Sequence, residues 1–236
     1  MQKLIYLIIA VVLIAILVLF LQSPQQIREP LRVTNLPWQI TYDRSSSQVF
    51  GISLEKSTLA EAARALETEF QLAWFDNHDD SYSLEAFFER VTLAGLQAKV
   101  VLELDKGTYS KDYFMQNSGK AEILQSKAVK YPLADLVEEL SQQTVLSIAY
   151  IPKVSLDEEL IKSRFGVADK VIKITSKREH WLYPEKGLDI AVNHDAKEVL
   201  QYVSPKNYSR LVKKIEDERL KALKAEKNSS QSEKNG

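Results

Sequence analysis

Side chains capable of chemistry are sparse in this sequence of 236 residues. It contains three histidines (His78, His180 and His194) and no cysteine, which excludes thiol nucleophiles and thiolate zinc sites. No G-x-S-x-G, H-E-x-x-H, Walker or G-x-G-x-x-G motif is present. His180 has no visible acid–base partner, so a structural role is favoured for it. The sequence therefore predicts no catalytic residue, no metal site and no cofactor.

The densest polar cluster, Asp76 to Asp80, is the one place where a cation site has to be considered. Carboxylates at alternate positions can surround Ca²⁺, but an EF-hand loop also needs a glycine at its sixth position and a glutamate at its twelfth. Counted from Asp76, these positions are Ser81 and Phe87. The match fails, and the aspartates instead predict a solvated turn.

A second group of residues suits binding rather than catalysis. Trp181 and Tyr183 lie in a predicted strand, flanked by Arg178 and Lys186. Aromatic anchors beside charged groups are typical of the centres and rims of protein interfaces. We therefore predict a protein-binding surface on the hairpin 179–192, with Trp181, Tyr183, Lys186 and Arg178 as its binding residues. The alternative is that these hairpin aromatics belong to the core.

The elements that would position this hairpin follow two similar runs of helix and strand patterns. In the first run, a T-x-x-E capping box at Thr58 opens a helix. A strand is predicted at 71–75, and a second helix begins at Ser83 and ends at Gly95. Strict alternation then predicts a strand over 96–104. The apolar face of the second helix would comprise Leu84, Phe87, Phe88 and Val91.

The second run repeats this order. A helix is predicted after Pro132 and a strand over 145–151. Another capping box at Ser155 opens a helix that ends at Gly166, and a strand follows over 170–175. These matches predict a duplication; the alternative is that amphipathic helix–strand units look alike by chance.

Further strands and a last helix follow the second run. Strands are predicted at 179–183 and 188–193, around the turn at 184–187, and another at 197–203. A helix should then begin at Ser204-Pro205.

The longest apolar run of the chain lies near its N-terminus. Residues 4–21 contain no charge, proline or glycine, and as a helix they would be about 27 Å long, close to the thickness of a bilayer core. A cleaved signal peptide is the alternative, but no small-residue cleavage pattern precedes Pro24. Lys3 precedes the apolar run, and Arg28 and Arg32 follow it, so the numbers of basic residues on its two sides are nearly equal and the positive-inside rule gives little preference for an orientation. We expect a retained anchor, a cytoplasmic N-terminus and an exported body.

Together, these patterns predict an α+β fold: an N-terminal single transmembrane helix, two duplicated helix/strand units packed on an antiparallel or mixed sheet, and a C-terminal helix. The predicted segments are a short N-terminal tail (1–3), a transmembrane signal anchor (4–21), an extended linker (22–44), a first α+β repeat with its connecting segment (45–127), a second α+β repeat (128–205), a basic C-terminal helix (206–224) and a disordered tail (225–236).

The charge distribution limits the possible partners. The formal net charge is −1, and Lys and Arg are in excess after Lys206, so the remainder of the chain is mildly acidic. Such a body offers no surface typical of nucleic-acid binding. The basic C-terminal stretch could contact anionic lipid or an acidic partner, but most such runs are solvated helices.

Several short motifs resemble the tandem repeats of BamE/SmpA-like and β-lactamase-inhibitor-protein-like domains. They are Val49-Phe50-Gly51-Ile52, Ser57-Thr58-Leu59, Arg164-Phe165-Gly166, His180-Trp181-Leu182-Tyr183-Pro184 and Lys186-Gly187-Leu188. The resemblance covers about residues 45–205. The chain departs from the family's pattern in two ways. It has no cysteine for lipid attachment, and a strand is predicted at 71–75 between the helices. The resemblance implies non-enzymatic protein–protein binding and transfers no particular binding residue.

We therefore expect a single-pass protein of the bacterial inner membrane whose periplasmic domain binds another protein as a scaffold or adaptor. The alternative is a membrane-tethered periplasmic hydrolase or ligand-binding protein with an unrecognised site. A pocket lined by two close carboxylates or a His–Asp pair would favour this alternative, whereas an exposed aromatic patch without a cleft would favour the adaptor.

Overall fold

The computed structural model describes residues 35–76, 81–124 and 128–232. The predicted membrane anchor 4–21, together with residues 1–3 and 22–34, lies outside the described residues. Within the described part of the chain, no helix combines the length and the apolar composition needed to cross a membrane.

The architecture is dominated by one antiparallel sheet of ten strands. Their order across the sheet is β10-β11-β12-β13-β9-β6-β5-β4-β8-β7. The strands are β4 (Gln71–Asp76), β5 (Tyr82–Leu93), β6 (Leu96–Leu104), β7 (Glu122–Ile123), β8 (Val129–Pro132), β9 (Val145–Pro152), β10 (Lys170–Lys173), β11 (Arg178–Tyr183), β12 (Leu188–Asn193) and β13 (Val199–Val203).

Shorter elements surround this sheet. A three-stranded sheet precedes it, formed by β1 (Thr41–Tyr42), β2 (Ser47–Val49) and β3 (Ile52–Ser53). The α-helices are α1 (Leu59–Leu66), α2 (Lys111–Gln116), α3 (Glu158–Phe165) and α4 (Tyr208–Ser232), and 3₁₀ turns lie at Ala134–Leu136, Glu139–Gln142, Pro184–Lys186 and Pro205–Asn207.

One face of the large sheet, here called the core face, forms the main hydrophobic core. Alternate residues of its strands, such as Leu84, Val100 and Ile148, are completely buried. They pack with buried side chains of the small sheet, α1, α3 and the two 3₁₀ turns after β8. Burial of this apolar surface is the main stabilising contribution to such a domain.

The opposite face, here called the outer face, is covered at one end by the C-terminal helix α4. Tyr208, Leu211 and Ile215 lie on one side of this helix, spaced for a single stripe. They pack on outer-face residues of β10, β11 and β13, including Leu182, and form a second and smaller cluster. The helix continues to Ser232, into the segment that was expected to be disordered.

The predicted α+β fold of two duplicated units is wrong, because the domain is mostly antiparallel sheet with one long C-terminal helix. The largest error is the helix predicted to begin at Ser83, which is the long strand β5. Leu84, Ala86 and Phe88 alternate as in any strand, but a β-bulge then delays the next core position to Val91. That extra residue makes strand spacing imitate the period of a helix.

The second run differs from its prediction in similar ways. Pro132 ends a strand, and the predicted helix after it is two 3₁₀ turns that still bury Leu136 and Leu140. The next helix is capped by Asp157 instead of Ser155. The segment matched to strand β5 therefore contains helix α3, so the two runs do not share a fold.

Several elements are confirmed as predicted. The capping box at Thr58 is present, with the Thr58 hydroxyl accepting from the Glu61 amide. Strands β4, β6, β9, β11 and β12 lie where the sequence predicted strands. Strands of both predicted repeats interleave in a single sheet, because β4, β5 and β6 of the first repeat lie between β9 and β8 of the second.

Candidate functional site

The outer face has two halves that differ in what lies over them. The helix-covered half comprises β10 to β13 beneath α4. The open half comprises β4, β5, β6 and β9. Its outer-face side chains belong to neither hydrophobic cluster of the described residues.

An apolar row crosses the open half. Phe87, Val101 and Ala149 stand directly opposite one another on β5, β6 and β9, and Ile151 follows Ala149 on the same face. All four are half-buried. The Lys99 ammonium lies 5.8 Å from the centroid of the Phe87 ring. An antiparallel sheet face exposed to water is normally polar, so this row is unusual for a face that solvent covers.

An acidic row lies next to the apolar row. Glu85, Glu103 and Ser147 are direct cross-strand neighbours. The Ser147 hydroxyl donates to a Glu103 carboxylate oxygen at 2.9 Å, and the Ser83 hydroxyl donates to Glu85 at 2.7 Å. Burial raises the pKa of Glu85, and the neighbouring Glu103 carboxylate raises it further. The hydrogen bond from Ser83 opposes this rise, and the row carries two neighbouring carboxylates of which Glu85 has the raised pKa.

A groove of about 670 Å³ lies between helix α4 and the acidic row. Its charged residues are Lys206, Arg210 and Lys214 on one side and Glu55, Glu103 and Asp105 on the other. Lys206 forms an ion pair with Glu55. Arg210 is exposed and has no ion-pair or hydrogen-bond partner within the described part of the chain. Charges of both signs thus face one another across a polar groove.

The predicted aromatic binding residues lie in the core. Trp181 and Tyr183 are 4% and 2% exposed and face away from the open half. The Trp181 indole donates to Glu179 at 2.7 Å, and the Tyr183 hydroxyl donates to the Gly166 carbonyl at 3.1 Å. Burial raises the pKa of Tyr183 to about 12. Their binding role stays a prediction, but in the described chain neither ring forms an accessible surface.

The structure brings one of the two predicted basic residues to the aromatic pair. The Lys186 ammonium lies 5.2 Å from the centroid of the Tyr183 ring, whereas Arg178 lies on the opposite face of the sheet. Lys186 donates to the Phe165 carbonyl and so ties the β11–β12 turn to helix α3. Arg178 lies on the outer face of β11 and forms an ion pair with Glu218 of helix α4. Both cations therefore join elements of this chain.

His180 has an acid partner that sequence reasoning missed. Its Nδ1 lies 2.7 Å from the Asp189 carboxylate, and both residues are buried beneath α4. The hairpin pairs His180 with Ala191 and Leu182 with Asp189, so His180 and Asp189 are diagonal neighbours on one face. Burial raises the pKa of Asp189. The sequence did predict the two strands and the turn between them. Pairing these strands across the turn would have placed His180 next to Asp189.

The position of this pair indicates a structural role. Glu218 approaches the other ring nitrogen of His180 at 3.9 Å, so α4 closes over the pair. None of the described pockets includes His180 or Asp189 in its lining. The pair joins sheet and helix instead of facing a substrate-sized space.

The aspartate-rich loop supplies no metal site in the described part of the chain. Residues 77–80 lie outside the described residues, and Asp76 forms an ion pair with Lys111 at 2.8 Å. No group of acidic or histidine side chains suited to a metal ion occurs among the residues that are described.

The sequence predicted the strands of the open half in part but not the site itself. Because β5 was assigned as a helix, its cross-strand neighbours could not be paired. No protein-family model, characterised protein or solved structure matches this chain. The candidate site therefore rests on the geometry of the open half and the groove beside it.

Proposed function

We propose that this chain is a membrane-attached envelope protein whose open half binds another protein in a scaffold or adaptor role. The observation that carries the proposal is the half-buried apolar row Phe87–Val101–Ala149, over which no described element packs. Apolar side chains on a sheet face gain free energy when a second surface removes them from water. A partner protein would supply that surface.

The groove beside helix α4 would add specificity to this contact. Its cations and carboxylates lie next to the apolar row, an arrangement of apolar centre and polar rim that is typical of protein interfaces. Charges at the rim chiefly select partners and accelerate association.

Attachment at the bacterial inner membrane, with the body in the periplasm, is part of the proposal. It is supported by the uninterrupted apolar run 4–21. An alkaline phosphatase fused to the C-terminus should be active, and a cytosolic reporter at the same place should be inactive. The reverse result, or a mature N-terminus near Pro24, would contradict it.

The binding surface is tested by a charge placed at the centre of the row. Val101→Asp should abolish site-specific photo-crosslinking to a partner from position 149, because a carboxylate in an apolar contact is costly to desolvate. Val167→Asp and Ile123→Asp are matched controls, since these side chains are 85% and 81% exposed and lie elsewhere. Equal crosslinking by Val101→Asp and the controls, with unchanged melting temperatures, would refute this surface.

A second candidate function is supported by the acidic row. Two neighbouring carboxylates, one with a raised pKa, are the usual equipment of general acid–base catalysis in a hydrolase. Under this alternative, the purified protein should hydrolyse a glycan, ester or peptide substrate, and Glu103→Gln should remove that activity while Asp105→Asn retains it. No turnover of any of the three substrate classes would leave the binding function as the better account.

A further inference from the structure

A β-bulge concentrates charge at one end of the open half. Phe88 and Val91 both face the core, so Glu89 and Arg90 between them lie together opposite the single residue Lys99. In a regular strand, one of these two consecutive side chains would point to the core. The bulge instead keeps both at the surface, and bulges commonly re-aim side chains in this way at functional sites.

Three lysines from other parts of the sheet reach the same place as Arg90. Lys99 belongs to β6, Lys153 follows the end of β9, and Lys197 precedes β13. With Arg90, they line a pocket of about 350 Å³. Its apolar lining consists of Ala98, Ile151 and Pro152. Four cations from four separate segments therefore converge on one concave surface.

Acidic groups balance little of this charge. Glu89 is the acidic residue in the pocket lining, and its carboxylate lies 2.8 Å from the Lys99 ammonium. Glu198 is adjacent to Lys197 in sequence, but it is buried and accepts from the Leu156 amide instead. The pocket thus keeps a local excess of positive charge, which favours an anionic ligand.

The remaining contacts leave many donors free. Lys153 donates to the Gln97 side-chain carbonyl at 3.2 Å, and Lys197 donates to the Ser155 hydroxyl at 3.1 Å. Each ammonium has three N–H donors, so most stay available. Arg90 is exposed, and its guanidinium makes no ion pair or hydrogen bond within the residues that the structure describes. A guanidinium fork with several ammonium groups around it matches the oxygens of a phosphate group.

We propose that this pocket binds a phosphate group, as a free phosphate or as the headgroup of an anionic lipid. Arg90 contacts two phosphate oxygens, and Lys99, Lys153 and Lys197 supply the surrounding charge. This site borders the apolar row, with which it shares Ile151, but its charged groups are different side chains and it does not depend on the protein-binding function proposed for that row.

The test uses the full chain in neutral detergent and follows amide hydrogen exchange while inorganic phosphate is added. Peptides that cover 88–99 and 151–155 should become protected. Arg90→Gln combined with Lys197→Gln should weaken the apparent affinity at least about tenfold, because two charge-assisted contacts are lost. The matched control combines Arg44→Gln with Lys213→Gln, an exposed arginine and an exposed lysine remote from the pocket, and should bind like the wild type.

A second arm distinguishes the two sources of phosphate. The full chain is placed in nanodiscs of phosphatidylcholine alone or in nanodiscs that also contain phosphatidylglycerol. Added protection of the same peptides by phosphatidylglycerol assigns a lipid headgroup; protection by inorganic phosphate alone assigns a soluble ligand. The proposal is overturned if neither arm protects these peptides, or if the double variant is protected like the control. The Arg90→Gln and Lys197→Gln double variant should still crosslink to its partner from position 149, so failure of partner binding and failure of this site are distinguishable.

Discussion

The two halves of the outer face use the same strand alternation but end in different environments. In the helix-covered half, Leu182 and Val203 pack under Leu211 and belong to a closed cluster. In the open half, Val101 occupies an equivalent outward position and packs under no described element. One half of the face is thus covered by the chain's own helix, whereas the other half presents apolar side chains that no described element covers. This second half is the surface that we propose binds a partner.

The outward side chains of the two halves should therefore differ in how much they contribute to the stability of the fold. Residues of the helix-covered half contribute to the free energy of unfolding, and residues of the open half should contribute mainly to binding. Function and stability are often separated in this way, because a binding surface cannot also be used to close the core.

The largest difference is expected between two glycines in hairpin turns, one in each half. A Cβ on Gly187 would lie 2.0 Å from the Val203 carbonyl oxygen, so the backbone at the end of β13 would have to move. Gly187→Ala should destabilise the domain by about 4 kcal/mol or more. Gly95, in the β5–β6 turn, has positive φ but no atom within 4 Å of such a Cβ, and Gly95→Ala should cost only about 1–2 kcal/mol. Chemical denaturation measures both; equal losses would contradict the comparison.

A paired truncation tests the comparison directly. Leu182→Ala removes a side chain that is 2% exposed under α4 and should lower the free energy of unfolding by about 2–5 kcal/mol. Val101→Ala in the open half should change it by less than about 1 kcal/mol, since its side chain fills no closed cluster. Urea unfolding of the two variants under one set of conditions is sufficient. A large loss for Val101→Ala would mean that the open half is covered after all.

The smallest effect is a pH dependence confined to the open half. Burial raises the folded-state pKa of Glu85 above its unfolded value, so the folded protein binds the extra proton between these two values. The free energy of unfolding should therefore fall as pH rises from about 4 through that window. Glu85→Gln should remove this slope and stabilise the protein at neutral pH by on the order of 0.5 kcal/mol. Denaturation at several pH values measures it, and an unchanged slope would show that Glu85 is not the titrating group.

Local signals in the sequence were sufficient for the simplest elements. The capping box at Thr58 begins helix α1, because it satisfies free backbone donors within the first turn. Strict alternation over 96–104 determined a strand, since no helical face fits a period of two. The turn around Gly187 needed a residue with positive φ, and glycine provides it.

Tertiary structure decided the conformation of segments whose local pattern was ambiguous. The bulge at Glu89 and Arg90 changed the apparent period of β5, and only pairing with β6 and β4 made that segment a strand. The stretch after Pro132 kept its buried leucines but formed 3₁₀ turns, because its backbone had to fit between β8 and β9.

The sequence by itself determined which residues are apolar, where strands alternate and where the long membrane-length run lies. Only the tertiary structure decided which face each strand presents and what covers it. Trp181 lies in the core because its face of β11 packs into the main hydrophobic cluster, and His180 meets Asp189 through hairpin register. Val101 lies under no element of the described residues, because α4 crosses the other half of the sheet. Register and coverage depend on contacts between residues far apart in the chain, and no local pattern records them.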